Sequence, residues 1–223
     1  MMNKVSQKEF LDGCKRYHEI EPRAITYPIA YLLVNKNCIT EGVRLLLASW
    51  NNRYVQRFKN DKLVDDIEEV WEETKDDIKN LRGKRFENLE LSAQNEDALK
   101  IDHVFWEWSS RESISDVGAA KALGLLCPSV FVMWDNNIAK KYKINIHYEP
   151  KTFNKPSTYI GFLRKVQERF KPLLSECSPQ DLWEKHCLEL REEDRSFYYK
   201  ISFVETFPKM IDEFNYSEAK KVA

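Results

Sequence analysis

Two isolated charges carry the chemistry that this chain offers. Lys121 is the only charged residue in Val117-Gly118-Ala119-Ala120-Lys121-Ala122-Leu123-Gly124-Leu125-Leu126, a stretch of small and apolar side chains. Fourteen residues later, after Cys127-Pro128 and the apolar run Val130-Phe131-Val132-Met133-Trp134, comes a lone carboxylate, Asp135. An amine and an acid set in apolar sequence are costly to bury unless they are paired or used. Desolvation lowers the pKa of a lysine, and a neutral amine is a nucleophile. A carboxylate held nearby can stabilise developing positive charge, orient water or accept a proton. The pair therefore points to amine chemistry assisted by an acid.

The elements that must position this pair read as helices. Val5-Ser6-Gln7-Lys8-Glu9-Phe10 is a helix start, with Ser6 and Glu9 as a capping box and Val5 able to staple to Phe10. A short apolar helix runs from Pro28 to Val34, and a longer one from Thr40 to about Phe58. Leu63, Val64, Ile67, Val70, Trp71, Ile78 and Leu81 fall at helical spacing, with a dense acidic run between them that reads as a solvated side. Gly83 to Leu91 reads as a loop or short extended piece, and Glu96 to Trp108 as a helix. Ser113-Ile114-Ser115-Asp116 is a tight connection into the Lys121 helix, Val117 to Leu126. Asp135 reads as the N-cap of a helix from Asn136 to Tyr142. Ile144 to Tyr148 alternates like a short strand stopped by Glu149-Pro150, and Ser157 caps a further helix ending near Pro172. Ser178-Pro179-Gln180-Asp181 starts another, and a last one runs from about Phe203 to Phe214 around Pro208. The expectation is an all-α unit of nine or ten helices with no internal repeat.

Composition narrows the function classes. The chain has 223 residues, 43% hydrophobic and 32% charged, which fits a globular domain. Six glycines are few for a turn-rich β fold. No apolar run approaches the roughly 18 residues needed to span a membrane, and the first residues lack the apolar core of a signal peptide. The expected location is the cytoplasm. The five cysteines, Cys14, Cys38, Cys127, Cys177 and Cys187, form no Cys-x-x-Cys, and the four histidines are dispersed. Neither a disulfide framework nor a metal-ligand cluster can be read from them, and no cofactor is expected. A net charge of −1 is unlike the strongly basic balance of many nucleic-acid-binding domains, but the acidic helix concentrates much of the negative charge on one face.

With the helices placed, Ile114-Ser115-Asp116-Val117-Gly118-Ala119-Ala120-Lys121-Ala122-Leu123 followed by Phe131-Val132-Met133-Trp134-Asp135 resembles the core of the helix-hairpin-helix DNA glycosylases. The 8-oxoguanine and endonuclease III-like members carry a hairpin, a nucleophilic lysine at the start of the next helix, and an essential aspartate after an apolar run. The resemblance covers about residues 30 to 145, and most of its weight lies in 114–138. It implies two sublobes, 25–112 and 113–223 with the N-terminal helix 6–18, and a cleft between them. Lys121 and Asp135 would be the catalytic lysine and aspartate. Asn35 and Asn37 stand where the family places amides near the damaged base. Trp134, Trp106 and Trp108 would supply aromatic faces for a flipped base. Backbone amides at Val117, Gly118 and Ala119 would hold a phosphate, with Lys140, Lys141 and Lys143 tracking the strand. The implied protein is a monomer that acts on duplex DNA. The hairpin keeps only Val117-Gly118 of the family's pattern, and Lys121 follows that glycine by three residues where two are usual. Lyase activity through Lys121 therefore stays open beside simple glycosylase activity.

Each of these residues has a purely structural use as well. Lys121 can snorkel to a helix edge, and Asp135 can serve only as a cap. Trp106 and Trp108 can be core, Asn35 and Asn37 turn residues, and His186 beside Trp183 a core histidine. The rival function is a non-catalytic helical module that binds nucleic acid or a protein.

Overall fold

The computed structural model describes residues 4–145 and 158–221. Among these residues the chain forms twelve α-helices and one 3-10 turn, with no strand. The helices are α1 (Gln7–Ile20), α2 (Thr26–Asn35), α3 (Ile39–Trp50), α4 (Asn52–Val55), α5 (Asn60–Leu81) and α6 (Glu96–Ser109). They continue as α7 (Ser115–Leu126), α8 (Asn136–Lys141), α9 (Thr158–Glu176), α10 (Pro179–Glu189), α11 (Glu192–Lys200) and α12 (Phe207–Lys221). None is long and apolar enough to cross a membrane.

The fold is all-α as expected, with twelve helices rather than nine or ten. The helix expected over 40–58 divides at Asn51, whose ψ of 24° and φ of −127° break the α geometry between α3 and α4. The additional helix α11 lies in Glu192-Glu193-Asp194-Arg195-Ser196-Phe197-Tyr198-Tyr199-Lys200, where only Tyr198 is buried, so apolar periodicity is faint. Its acidic first turn complements the helix dipole. Pro172, expected in the last turn or at the end of its helix, lies inside α9 shortly before its last residue, Glu176. Pro208 sits in the first turn of α12, where its missing N–H is tolerated. The candidate strand at 144–148 and the Ser157 cap lie wholly or mostly outside the described residues; Ile144 and Asn145, which are described, are not in a strand.

Local signals account for several helix ends. Ser6 accepts from the Glu9 amide while Glu9 accepts from Ser6, and Ser178 with Asp181 repeats this box at α10. The acidic helix α5 turns Leu63, Ile67, Val70, Ile78 and Leu81 inward. It also buries Asp66, which accepts from the Ser113 amide and hydroxyl and pairs with Lys62. That carboxylate pins the turn leading into α7. Burial raises its pKa, but the bonds from Lys62 and Ser113 outweigh this and leave it below the ordinary carboxylate value.

Helices α2 and α3 pack extensively against each other. Gly42 permits this approach. A Cβ there would stand 2.8 Å from the Ala30 carbonyl oxygen and 2.8 Å from Val34 Cγ2. At Gly161 in α9, by contrast, a Cβ would meet nothing within 4 Å. Gly42→Ala is therefore expected to destabilise the protein by about 1–3 kcal/mol through overpacking, whereas Gly161→Ala should stabilise it by up to about 1 kcal/mol through helix propensity. Urea unfolding of the two variants checks the opposite signs.

Candidate functional site

The Lys121 side chain leaves the middle of α7, and Asp135 caps α8. Between them Val130 to Trp134 passes through the interior, each residue at most 2% exposed. Trp134 Nε1 donates to the Asp116 carbonyl at 3.1 Å, and so ties the start of α7 to the start of α8. Its ring packs against Phe105, Tyr159 and Phe162. These contacts set the position of Asp135 relative to Lys121.

Both residues line one cavity of about 220 Å³. Tyr17 of α1, Trp50 at the end of α3, and Trp134 give it aromatic walls, and Asp212, Tyr216 and Lys220 of α12 close it. The α12 residues lie four apart, on one helix face. The volume is below the roughly 300–1,000 Å³ of sites for drug-sized ligands, and it suits a single ring-sized group.

The Lys121 ammonium donates to the Trp50 carbonyl. Burial pushes its pKa below that of an ordinary lysine, and the charges of Asp135 and Asp212 only partly offset this. Asp135 Oδ1 accepts from the amides of Asn137 and Ile138, each at 2.8 Å. Asp212 is a third ionisable group here, and sequence reasoning missed it. Burial pushes its carboxyl up to about 6, against the pull of Lys209 and Lys121. Its only sequence signal is the set Lys209, Asp212 and Glu213 among Phe207, Met210, Ile211 and Phe214, which is charge on a helix face that also carries core residues.

A second polar wall runs alongside. Arg23 binds both oxygens of Glu21, Nε at 2.7 Å and a terminal nitrogen at 2.9 Å, and the Tyr216 hydroxyl donates to Glu21 at 2.6 Å. Arg23 also donates to the Ser49 carbonyl, and Trp50 Nε1 donates to the Arg23 carbonyl. This network joins the loop after α1 to the ends of α3 and α12.

Of the sequence candidates, Lys121, Trp134 and Asp135 meet at the cavity; Asn35, Asn37, Trp106 and Trp108 do not line it. Asn35 is exposed at the end of α2, and Asn37 is exposed in the following turn with φ 62°, a left-handed conformation that asparagine tolerates. Trp106 is half-buried on α6. Trp108 is fully buried, and its Nε1 donates to Thr74 Oγ1 at 3.0 Å. Val117 is half-buried, while Gly118 and Ala119 are buried inside the first turns of α7. Lys140 is exposed; Lys141 pairs with Glu218, which also binds Arg169.

A larger concavity of about 1,210 Å³ lies between residues 85–93 and α9. It contains neither Lys121 nor Asp135, so chemistry rather than size selects the smaller cavity. Next to Tyr17 and Asp212, on residues that do not line the cavity, histidines that are far apart in sequence converge. His18 of α1 and His186 of α10 meet Glu205, in the connection before α12, and Glu213 of α12. No family model, curated protein or solved structure matches this chain.

Glu21 generates a pH prediction. Burial acts to raise its pKa, but the bonds from Arg23 and Tyr216 prevail and hold it at about 2, from 4.5. A depressed carboxylate pKa contributes stability that is fully present above the unfolded value and lost as pH falls through the folded one. Glu21→Gln should therefore be less stable than wild type at neutral pH. The gap should narrow as pH drops from about 4.5 towards 2, as read by urea midpoints at each pH. A gap constant down to that pH would contradict the ion pair.

Proposed function

We propose that this chain is a DNA glycosylase of helix-hairpin-helix type, which flips a damaged or modified base from duplex DNA and hydrolyses its N-glycosidic bond. The observation that carries the reading is the convergence of Lys121 and Asp135, fourteen residues apart in sequence, on one aromatic-walled cavity. Breaking the glycosidic bond sends the bonding electrons to the departing base and leaves positive charge on the sugar. The Asp135 carboxylate opposes that charge and takes a proton from the attacking water as it adds to the anomeric carbon. Tyr17, Trp50 and Trp134 offer the apolar surface on which an extruded base is held.

Lys121 supplies a second branch. Its lowered pKa raises the fraction of free amine near neutrality. The amine attacks the anomeric carbon and expels the base. The resulting aminal opens its sugar ring, breaking the C1′–O4′ bond to give a Schiff base, and loss of a C2′ proton then eliminates the 3′ phosphate. Asp135 serves both branches, so its charge is the essential one. The reading carries with it a cytoplasmic monomer that needs no cofactor for this step.

The rival reading, a binding module without catalysis, rests on the same contacts: Lys121 already satisfies the Trp50 carbonyl, and Asp135 already caps α8. Duplexes each carrying one modified base, treated with hot alkali after incubation, separate the two. Asp135→Asn is the informative variant, because asparagine caps a helix as well as aspartate does. Base loss by the wild type, reduced about 100- to 10,000-fold in Asp135→Asn without loss of thermal stability, is the expected result. Binding without base release from any duplex would favour the module.

The lyase branch has its own readout. Borohydride should trap a protein–DNA adduct in the wild type and none in Lys121→Gln. Its yield should rise with pH through a midpoint below that of an ordinary lysine, because the amine reacts only when deprotonated. Base loss that persists in Lys121→Gln with no adduct in the wild type would assign water as the only nucleophile.

A further inference from the structure

Four potential ligands from three helices and one connection point at a common centre. One donor atom from each of His18, His186, Glu205 and Glu213 lies within 4.8 Å of the other three. His186 Nε2 stands 3.5 Å from Glu213 Oε2 and 3.7 Å from Glu205 Oε2, and His18 Nε2 stands 3.4 Å from Glu213 Oε1. All four residues are at most 5% exposed. Yet His18 Nε2, both ring nitrogens of His186, Glu205 Oε2 and Glu213 Oε2 have no hydrogen-bond partner among the described residues. Buried polar atoms are nearly always satisfied, and here one orphaned donor atom from each of the four residues faces the others at spacings too long for good hydrogen bonds, as they would around a shared ion. Donors held about 2.0–2.2 Å from a tetrahedral zinc ion stand roughly 3.3–3.6 Å apart, close to the spacings here.

Charge gives an independent reason. Glu205, Asp212 and Glu213 are buried together with one ammonium, Lys209, which binds Glu213 Oε1 at 2.6 Å and lies 3.7 Å from Asp212. Lys209 answers Glu213, which leaves Glu205 in a dry interior with no cation of its own, needing either a proton or a second positive charge. A divalent cation supplies that charge. Lys209 occupies one Glu213 oxygen and leaves the other, Oε2, facing the centre. Two imidazoles and two carboxylates without a thiolate are a nitrogen–oxygen donor set suited to zinc and its first-row neighbours.

We propose that His18, His186, Glu205 and Glu213 form a closed, four-ligand site for one divalent transition-metal ion of zinc type, which fastens α1 to α10 and α12. With four protein ligands and no solvent-facing position the ion is structural. None of its four ligands lines the cavity holding Lys121 and Asp135, so it requires no assumption about the reaction.

The full-length chain, stripped with chelator and reloaded with Zn²⁺ alone, should retain one ion per chain after gel filtration, measured by elemental analysis. Co²⁺ in its place should give the intense visible bands of a four-coordinate site. Zn²⁺ should raise the melting temperature of the stripped protein. Glu205→Gln, which keeps side-chain size, and His186→Ala should each lose the cobalt bands. Wild-type protein that neither retains Zn²⁺ nor develops those bands overturns the proposal, whatever the variants do. Metal uptake that survives unchanged in folded Glu205→Gln and His186→Ala also overturns it, because the ion then sits elsewhere. DNA plays no part in these measurements, so their failure leaves the glycosylase reading untouched, and the reverse holds as well.

Discussion

The Lys209 ammonium is the charge around which the two ends of the chain meet. It is 3% exposed, bound to Glu213, and faces the rings of Tyr17, Tyr27 and Trp50 at 4.5, 5.1 and 5.6 Å. Those rings belong to α1, α2 and α3, so one buried cation on α12 draws four helices together. The attraction of Glu213, Glu205 and Asp212 outweighs burial and holds its pKa above that of an ordinary lysine. Removing one partner from such a cluster typically costs about 3–5 kcal/mol, because the remaining charge is stranded. This corner tolerates little change, and the cavity wall inherits its rigidity.

That inheritance is physical. Asp212 and Tyr17 belong to both regions: they touch or neighbour the Lys209 cluster on one side and line the Lys121 cavity on the other. Phe10, Phe214 and Gly13 seat α1 against α12, and the Phe214 ring leaves no room for a Cβ at Gly13. A site held by packed helices keeps its side chains in place better than one built on loops. The Lys121 side of the cavity depends on α7, whose position follows from Asp66 at its entry and Trp134 at its start.

Much of this architecture was legible in the sequence, and the losses have definite causes. The capping box at Ser6, the Ser178-Pro179 helix start, the amphipathic α5 and the cap at Asp135 all declare themselves through local spacing. The break at Asn51 and the existence of α11 do not, since neither changes the apolar periodicity enough. At the cavity, Lys121, Asp135 and Trp134 were visible as isolated polar or aromatic residues in an apolar run. Asp212 and the His18–His186–Glu205–Glu213 group were not. Their partners come from opposite ends of the chain, and no spacing within one segment encodes a contact between α1 and α12. His186 read as a satisfied core histidine; it is buried, but its ring nitrogens have no hydrogen-bond partner among the described residues.

The contacts of Lys121 also bear on whether its charge is incidental. A snorkelling lysine lays its methylenes along an apolar surface and keeps its ammonium in water, where its pKa stays ordinary. Lys121 differs. Its half-buried ammonium donates to the Trp50 carbonyl, and burial lowers its pKa even with Asp135 and Asp212 nearby to oppose the shift. A neutral, uncharged side chain of similar length would fill this space without that desolvation. Asp135 shows the complementary economy: its cap bonds are made by Oδ1, and they hold the carboxylate in one orientation towards the cavity wall it lines. A cap needs only an oxygen acceptor, which asparagine, serine or threonine also provides. The negative charge at this position is what the cap alone does not explain.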